Sequence, residues 1–245
     1  SRHDEDVTEV VARGVPPESG VPGHFEFAED IQRQLDDIAH REQMLRRAPP
    51  QAATGVSNAG PGGEAINFYE VSAFVIVRRG ATIGTILEPT PGVPGEGVRG
   101  EVIPGEPGAA AGVGLGDGVE VCGGTEVRAA IDGRLVRGTK DIRVDEVLRV
   151  AGAVDFSTGN IDFPGDVVIT GGVKDRFRVA ADGSIEVHDL VEAAHIETAY
   201  DVTFSTGMAG RESGALAIGG TLTARYLDGV LGRIDGPCRV GREVN

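Results

Sequence analysis

The stretch Val154–Val173 reads VDFSTGNIDFPGDVVITGGV, and its apolar and polar residues alternate in runs of three to five that each stop at Gly, Asn or Pro. Such runs are too short for independent hairpins and lack a helical period. Strands that stop so soon need partners far away in sequence.

Those partners recur downstream. GDVVI (Gly165–Ile169), GSIEV (Gly183–Val187), YDVTF (Tyr200–Phe204), GTLTA (Gly220–Ala224) and GPCRV (Gly236–Val240) share one pattern. The positions Val167/Ile169, Ile185/Val187, Val202/Phe204, Leu222/Ala224 and Cys238/Val240 are apolar. Between them lie Val168, Glu186, Thr203, Thr223 and Arg239, so one face is expected inside and the other outside. A second ladder, Ile161, Val179, Ile196 and Leu216, precedes the first four of the later rungs by a constant offset, and Phe163, Ala181, Thr198 and Ile218 run beside it. One coil per repeat, with two or three short strands separated by Gly, Asp and Asn corners, predicts a parallel β-helix over residues 151–245. The repeat length wanders from coil to coil, which favours a right-handed over a left-handed hexad helix.

Composition agrees with a β-rich chain. The protein has 245 residues, 40% of them hydrophobic but only 4% aromatic, with 38 glycines, so its core must be built from Val, Ile, Leu and Ala around many turns. A net charge of −15, with Lys140 and Lys174 the only lysines, excludes phosphate neutralisation as a working principle and hence nucleic acid as a partner. No apolar run reaches bilayer length and the N-terminus is acidic, so a soluble, cytoplasmic protein without a transmembrane segment is expected. Cys122 and Cys238 lack metal-ligand or redox spacing and read as small apolar residues.

Residues 1–150 have a different texture. Gly14–Phe27 and Leu87–Ile103 look like copies of one element, in which a Pro-Gly turn joins two strands. Ser72–Leu87, Gly118–Val136 and Lys140–Val150 carry further β signals, which together predict a small barrel or sandwich. The Gly-rich run around Gly112–Gly118 has no Walker-type lysine, so it is no phosphate loop. Residues 28–65 read as an insertion. Ala28–Ala48 is helical, with Ile31, Leu35, Ile38 and Leu45 on one stripe, while Pro49–Ala65 is a loop poor in core-forming residues. The stripe either packs on the β domain or offers a seam to another chain.

PTPGVPGEGVRG, AAIDGRLV, the run from Val154 to Val187 and ALAIGGTLTARYL, in that order and spacing, resemble the flagellar assembly protein A family. The resemblance runs from about Val10 to the last residue and is weakest over Ala28–Ala65. It implies an N-terminal β domain followed by a right-handed parallel β-helix, and an association with flagellar assembly and cell-pole organisation. It also implies a further helical region beyond RVGREVN, so the last rung is expected to be open and able to pair with another copy.

Enzymatic chemistry has one candidate cluster, Glu186, His188, His195 and Glu197, which adjacent outward ladders bring towards one face as a metal or acid–base site. A solvated polar face explains the same residues. No catalytic residue, cofactor or metal site is therefore assigned. The reading is a non-enzymatic scaffold that works through protein contacts. Two alternatives remain: a β-helix enzyme acting on carbohydrate or acyl substrates, and a division or polarity regulator resembling the septum-site inhibitor β-helix.

Overall fold

The computed structural model describes residues 13–47, 73–139 and 141–241. The expected loop Pro49–Ala65 lies outside the described residues, save for the Val56–Ser57 backbone, which pairs antiparallel with Ile66–Asn67.

The fold is mainly β, with N-terminal sheets and a parallel β-solenoid of about 5 turns. Every inward position of the first ladder stacks in register: Val167 on Ile185, Ile185 on Val202, Val202 on Leu222 and Leu222 on Cys238. The second ladder stacks likewise, Ile161 on Val179, Ile196 and Leu216. Along both, residues from Ile161 to Ala224 that point inward are almost fully buried. Each such Val, Ile or Phe contributes roughly 1.5–3 kcal/mol relative to exposure, so the column is the main source of solenoid stability.

Two features go beyond the sequence expectation. The first ladder starts one rung earlier than residue 151, because Val147–Val150 pairs in parallel with Asp166–Ile169. A third column, Val154, Val173, Val191, Met208 and Leu227, closes each coil, through single bridges as far as Met208 and through a short ladder between Met208 and Leu227. Each coil therefore has three sides.

One expectation needs correction. Cys238 and Val240 hold the expected register but are exposed, because no further described rung lies over them. Cys238 is thus a surface thiol, and Cys122 is half-buried.

Corner chemistry explains the Asp and Asn spacing. Asp166 Oδ1 accepts the amide of Ser184 at 2.7 Å, and Asp201 Oδ1 that of Thr221 at 2.6 Å. Asn160 and Asp175 do the same for Arg178 and Ala193. Each corner side chain satisfies a donor of the next coil that the interrupted ladder would leave unpaired. Thr198, an inward polar residue, is accommodated because its hydroxyl donates to Gly183 O at 2.6 Å and accepts from the Tyr200 amide.

The N-terminal unit has two four-stranded sheets, 24–27, 82–87, 126–129 and 119–122 in one, 76–77, 133–137, 141–145 and 114–115 in the other. Its core includes Val75, Ile83, Val127, Leu135 and Val144. The helix Glu29–Arg47 packs on this core: Ile31 is buried, Leu35 and Ile38 pack against it, and Leu45 is half-buried. The apolar stripe is thus turned to its own domain. A free seam for another chain is not what these residues form.

The helix also ties the two units together. Arg41, 2% exposed, donates to Phe156 O at 2.8 Å and Thr158 O at 3.2 Å in the first turn of the solenoid. Burial lowers its pKa while the Asp155 charge raises it. Phe74 and Ile76 pack on the solenoid core, and Arg78 reaches Asp182 at 3.3 Å. The first coil is thereby covered by the N-terminal unit, which supplies the cap that a stacked solenoid needs.

The two Pro-Gly segments do lead into strands, at His24–Phe27 and at Gly95–Glu96, which pairs antiparallel with Val102–Ile103, but they also pair with each other. Residues 14–23 run antiparallel to residues 90–96, bonded at Val15–Glu96, Glu18–Val93 and Val21–Thr90, and run alongside 105–109, bonded from Gly20 to Glu106 and from Gly23 to Ala109. Bonding positions recur every third residue. That is the period of polyproline II, whose three-residue turn points every third side chain to the same side. Glycines fill that side: a Cβ at Gly20, Gly95 or Gly108 would come closer than 3.0 Å to backbone of a neighbouring strand. The three segments form a braid with a backbone core.

Gly20→Ala is accordingly expected to open the braid. Hydrogen exchange at the Val15, Glu18, Val93 and Glu96 amides should speed up on the order of tenfold or more, with the solenoid amides unchanged. Unchanged exchange at those four amides would mean that the braid tolerates a side chain at its axis.

Candidate functional site

The second ladder presents the outward row Asp162, Ala180, Glu197, Ala217 and Arg233, in parallel register. Alanines at alternate rungs leave a depression between charged neighbours. Together with Arg178, Tyr200, Gly219 and Asp235 the row lines an open groove of about 710 Å³. At Asp182 and Tyr200 it adjoins a second cleft of about 460 Å³ between the solenoid corners and Arg79, Ala130, Ile131 and Asp132 of the N-terminal unit. Grooves at domain junctions are favoured ligand positions.

Charge in the groove is paired. Arg178 sits 2.8 Å from Glu197 and 3.8 Å from Asp162, and Arg233 pairs with Asp235. The Arg178 hydrogen bond, followed by its charge, holds the Glu197 carboxyl below the usual carboxylate range. A carboxylate held ionised in this way is a poor general acid, which needs the opposite shift. These half-exposed pairs contribute little to stability, yet they fix an alternating charge pattern along the groove. Tyr200, 56% exposed, offers an aromatic edge beside them. The arrangement suits an extended, mixed-charge polymer laid across several rungs.

The four residues singled out from sequence split into two pairs. Glu186 and His188 meet at 3.0 Å on the first ladder, while His195 and Glu197 lie 3.7 Å apart on the second. His188 and His195 thus belong to different sides of the coil. Intervening between them is the third column at Val191, whose single inward residue gave no alternation to read. Among the described residues, no three His, Cys, Asp or Glu side chains gather as a metal-holding group. Arg178, Tyr200 and Arg233 escaped the sequence reading, because a groove made by alanines at neighbouring rungs shows only once the coils are stacked.

Comparison with known families matches residues 146–237 to the Flagellar Assembly Protein A beta solenoid domain and residues 50–140 to the Flagellar Assembly Protein A N-terminal region. The chain belongs to the flagellar assembly protein A family. The solenoid match begins at the rung Val147–Val150, in agreement with the pairing. Helix Glu29–Arg47 precedes both matched regions, as does the first segment of the braid. In this family member, therefore, the Arg41 tie joins an element outside the matched regions to one inside them. No curated protein and no solved structure matches the chain. No described helix is long and apolar enough to cross a membrane.

Proposed function

We propose that the chain is a non-enzymatic adaptor in flagellar assembly, holding an extended segment of a partner protein in the groove along Asp162–Arg233. The observation that carries this reading is the groove itself. It is open and spans several rungs, its charges are already paired, and its carboxylate Glu197 is kept ionised. Family membership supplies the process, and the paired charges supply the mode of contact. A cytoplasmic position at the cell pole is part of the same proposal.

Charge reversal of the groove tests it. Arg178→Glu with Arg233→Glu is expected to weaken capture of the partner by at least about tenfold, since like charges then face each other across the rung. Arg178 is half-exposed and Arg233 exposed, so the melting temperature should stay within a few degrees. The partner is identified by a photocrosslinking residue placed at Tyr200 in the native bacterium, and flagellation is scored alongside. Crosslinks to a flagellar protein that vanish in the double variant support the adaptor. Normal flagellation and undiminished crosslinks in that variant overturn it, as would a turnover activity abolished by Glu197→Gln.

A further inference from the structure

We propose that the glycine-centred braid of residues 14–23, 90–96 and 105–109 is a second docking element, read by an aromatic-lined groove on a basic partner protein. In an ordinary sheet or helix one face hides the apolar side chains. The braid hides only glycines, because the axis is too narrow for a Cβ, so all other side chains are forced outward. Val15, Val21 and Val93 stand between 57% and 61% exposed, and the prolines between them are exposed as well. Apolar residues scattered singly over a surface mean little, but their concentration on one rigid element marks a contact surface.

The chemistry of the occupant follows from the conformation. Polyproline II ligands are read by aromatic side chains that slot between proline and valine ridges, and a preformed ligand gives up little entropy on binding. The described residues offer no such groove: the chain has no Trp, and Tyr200 is the sole large aromatic prominent on the described surface. A second copy is opposed by charge, since Glu18, Glu96 and Glu106 ride on the braid and the whole chain carries −15. The same glutamates favour a basic rim around the partner's aromatic groove. The site is separate from the rung groove, so each can fail alone.

The missing tryptophan makes the test direct, because emission from an added indole reports only on the probe. The full chain is titrated with a synthetic peptide of alternating Trp and Arg, and in parallel with one of alternating Leu and Arg of equal charge. The expected result is saturable binding of the Trp peptide, blue-shifted and at least about tenfold tighter than the Leu peptide, with the preference lost in V15S/V21S/V93S and retained in the Arg178→Glu, Arg233→Glu groove variant. The serine variant is checked by amide exchange, to confirm that the braid is still closed. Equal affinity for both peptides, an undiminished preference in the serine variant, or a preference abolished by the groove variant would each overturn the proposal, as would Trp-peptide binding that vanishes at physiological salt and so reflects charge alone.

Discussion

Val202→Asp is expected to cost about 4 kcal/mol or more and to abolish cooperative folding of the solenoid, whereas Thr203→Asp, one residue on, should cost less than about 0.5 kcal/mol. Val202 is 1% exposed, stacked between Ile185 and Leu222, and Thr203 points outward. A carboxylate at the first position enters a buried column of apolar side chains. It must either ionise unpaired or hold a proton well above its ordinary pKa, and both options destabilise. Chemical denaturation of the two variants side by side provides the measurement. Equal, small losses would mean that the register is wrong by one residue, because such a slip exchanges the two faces.

The second large effect is expected from Arg41→Ala, at about 3 kcal/mol. Its guanidinium is the donor for Phe156 O and also reaches Thr158 O, which has a second donor in the Ala73 amide. Removal takes a charged donor from both carbonyls, leaves the volume of a buried side chain unfilled and lets the first turn loosen. Arg41→Lys should recover only part of the loss, since an ammonium cannot reproduce the planar fork that spans two carbonyls. Because the contact joins the N-terminal unit to the solenoid, the alanine variant should also melt in two steps where the parent melts in one. A single, unshifted transition would show that the helix is dispensable, as its position outside both matched family regions suggests at first sight.

Legibility in the sequence tracked the number of inward residues per strand. Ile185-Glu186-Val187 and Ile161-Asp162-Phe163 each carry two inward residues around an outward one, enough for a repeat to be seen, and both ladders stack as read. The third column offers a single inward residue per coil, such as Val191, amid irregular polar neighbours, so no period marks it. Pro-Gly segments were legible as copies but not as partners. Their period of three carries no amphipathic signal, since every side chain other than glycine faces out. The helix was legible as a helix, with its stripe. Its role was not, because Arg41, three residues after Ile38 and four before Leu45, is a charge at the flank of the stripe and becomes structural only through carbonyls more than a hundred residues away. The groove depends on alanines, which look uninformative until they stack.

The three sides of the coil differ in one respect that bears on descent. From the second column to the first the spacing never changes: Ile161 to Val167, Val179 to Ile185, Ile196 to Val202, Leu216 to Leu222. The passage from the third column to the second varies from coil to coil, between Val154–Ile161, Val173–Val179, Val191–Ile196 and Met208–Leu216. It is also where Arg176, Arg211 and Glu212 take left-handed backbone conformations that accommodate the extra or missing residues. Insertions and deletions accepted during evolution should therefore accumulate along this one edge of the solenoid. The opposite corners, where each residue is counted by the ladders on both sides, should stay fixed in length from one relative to the next.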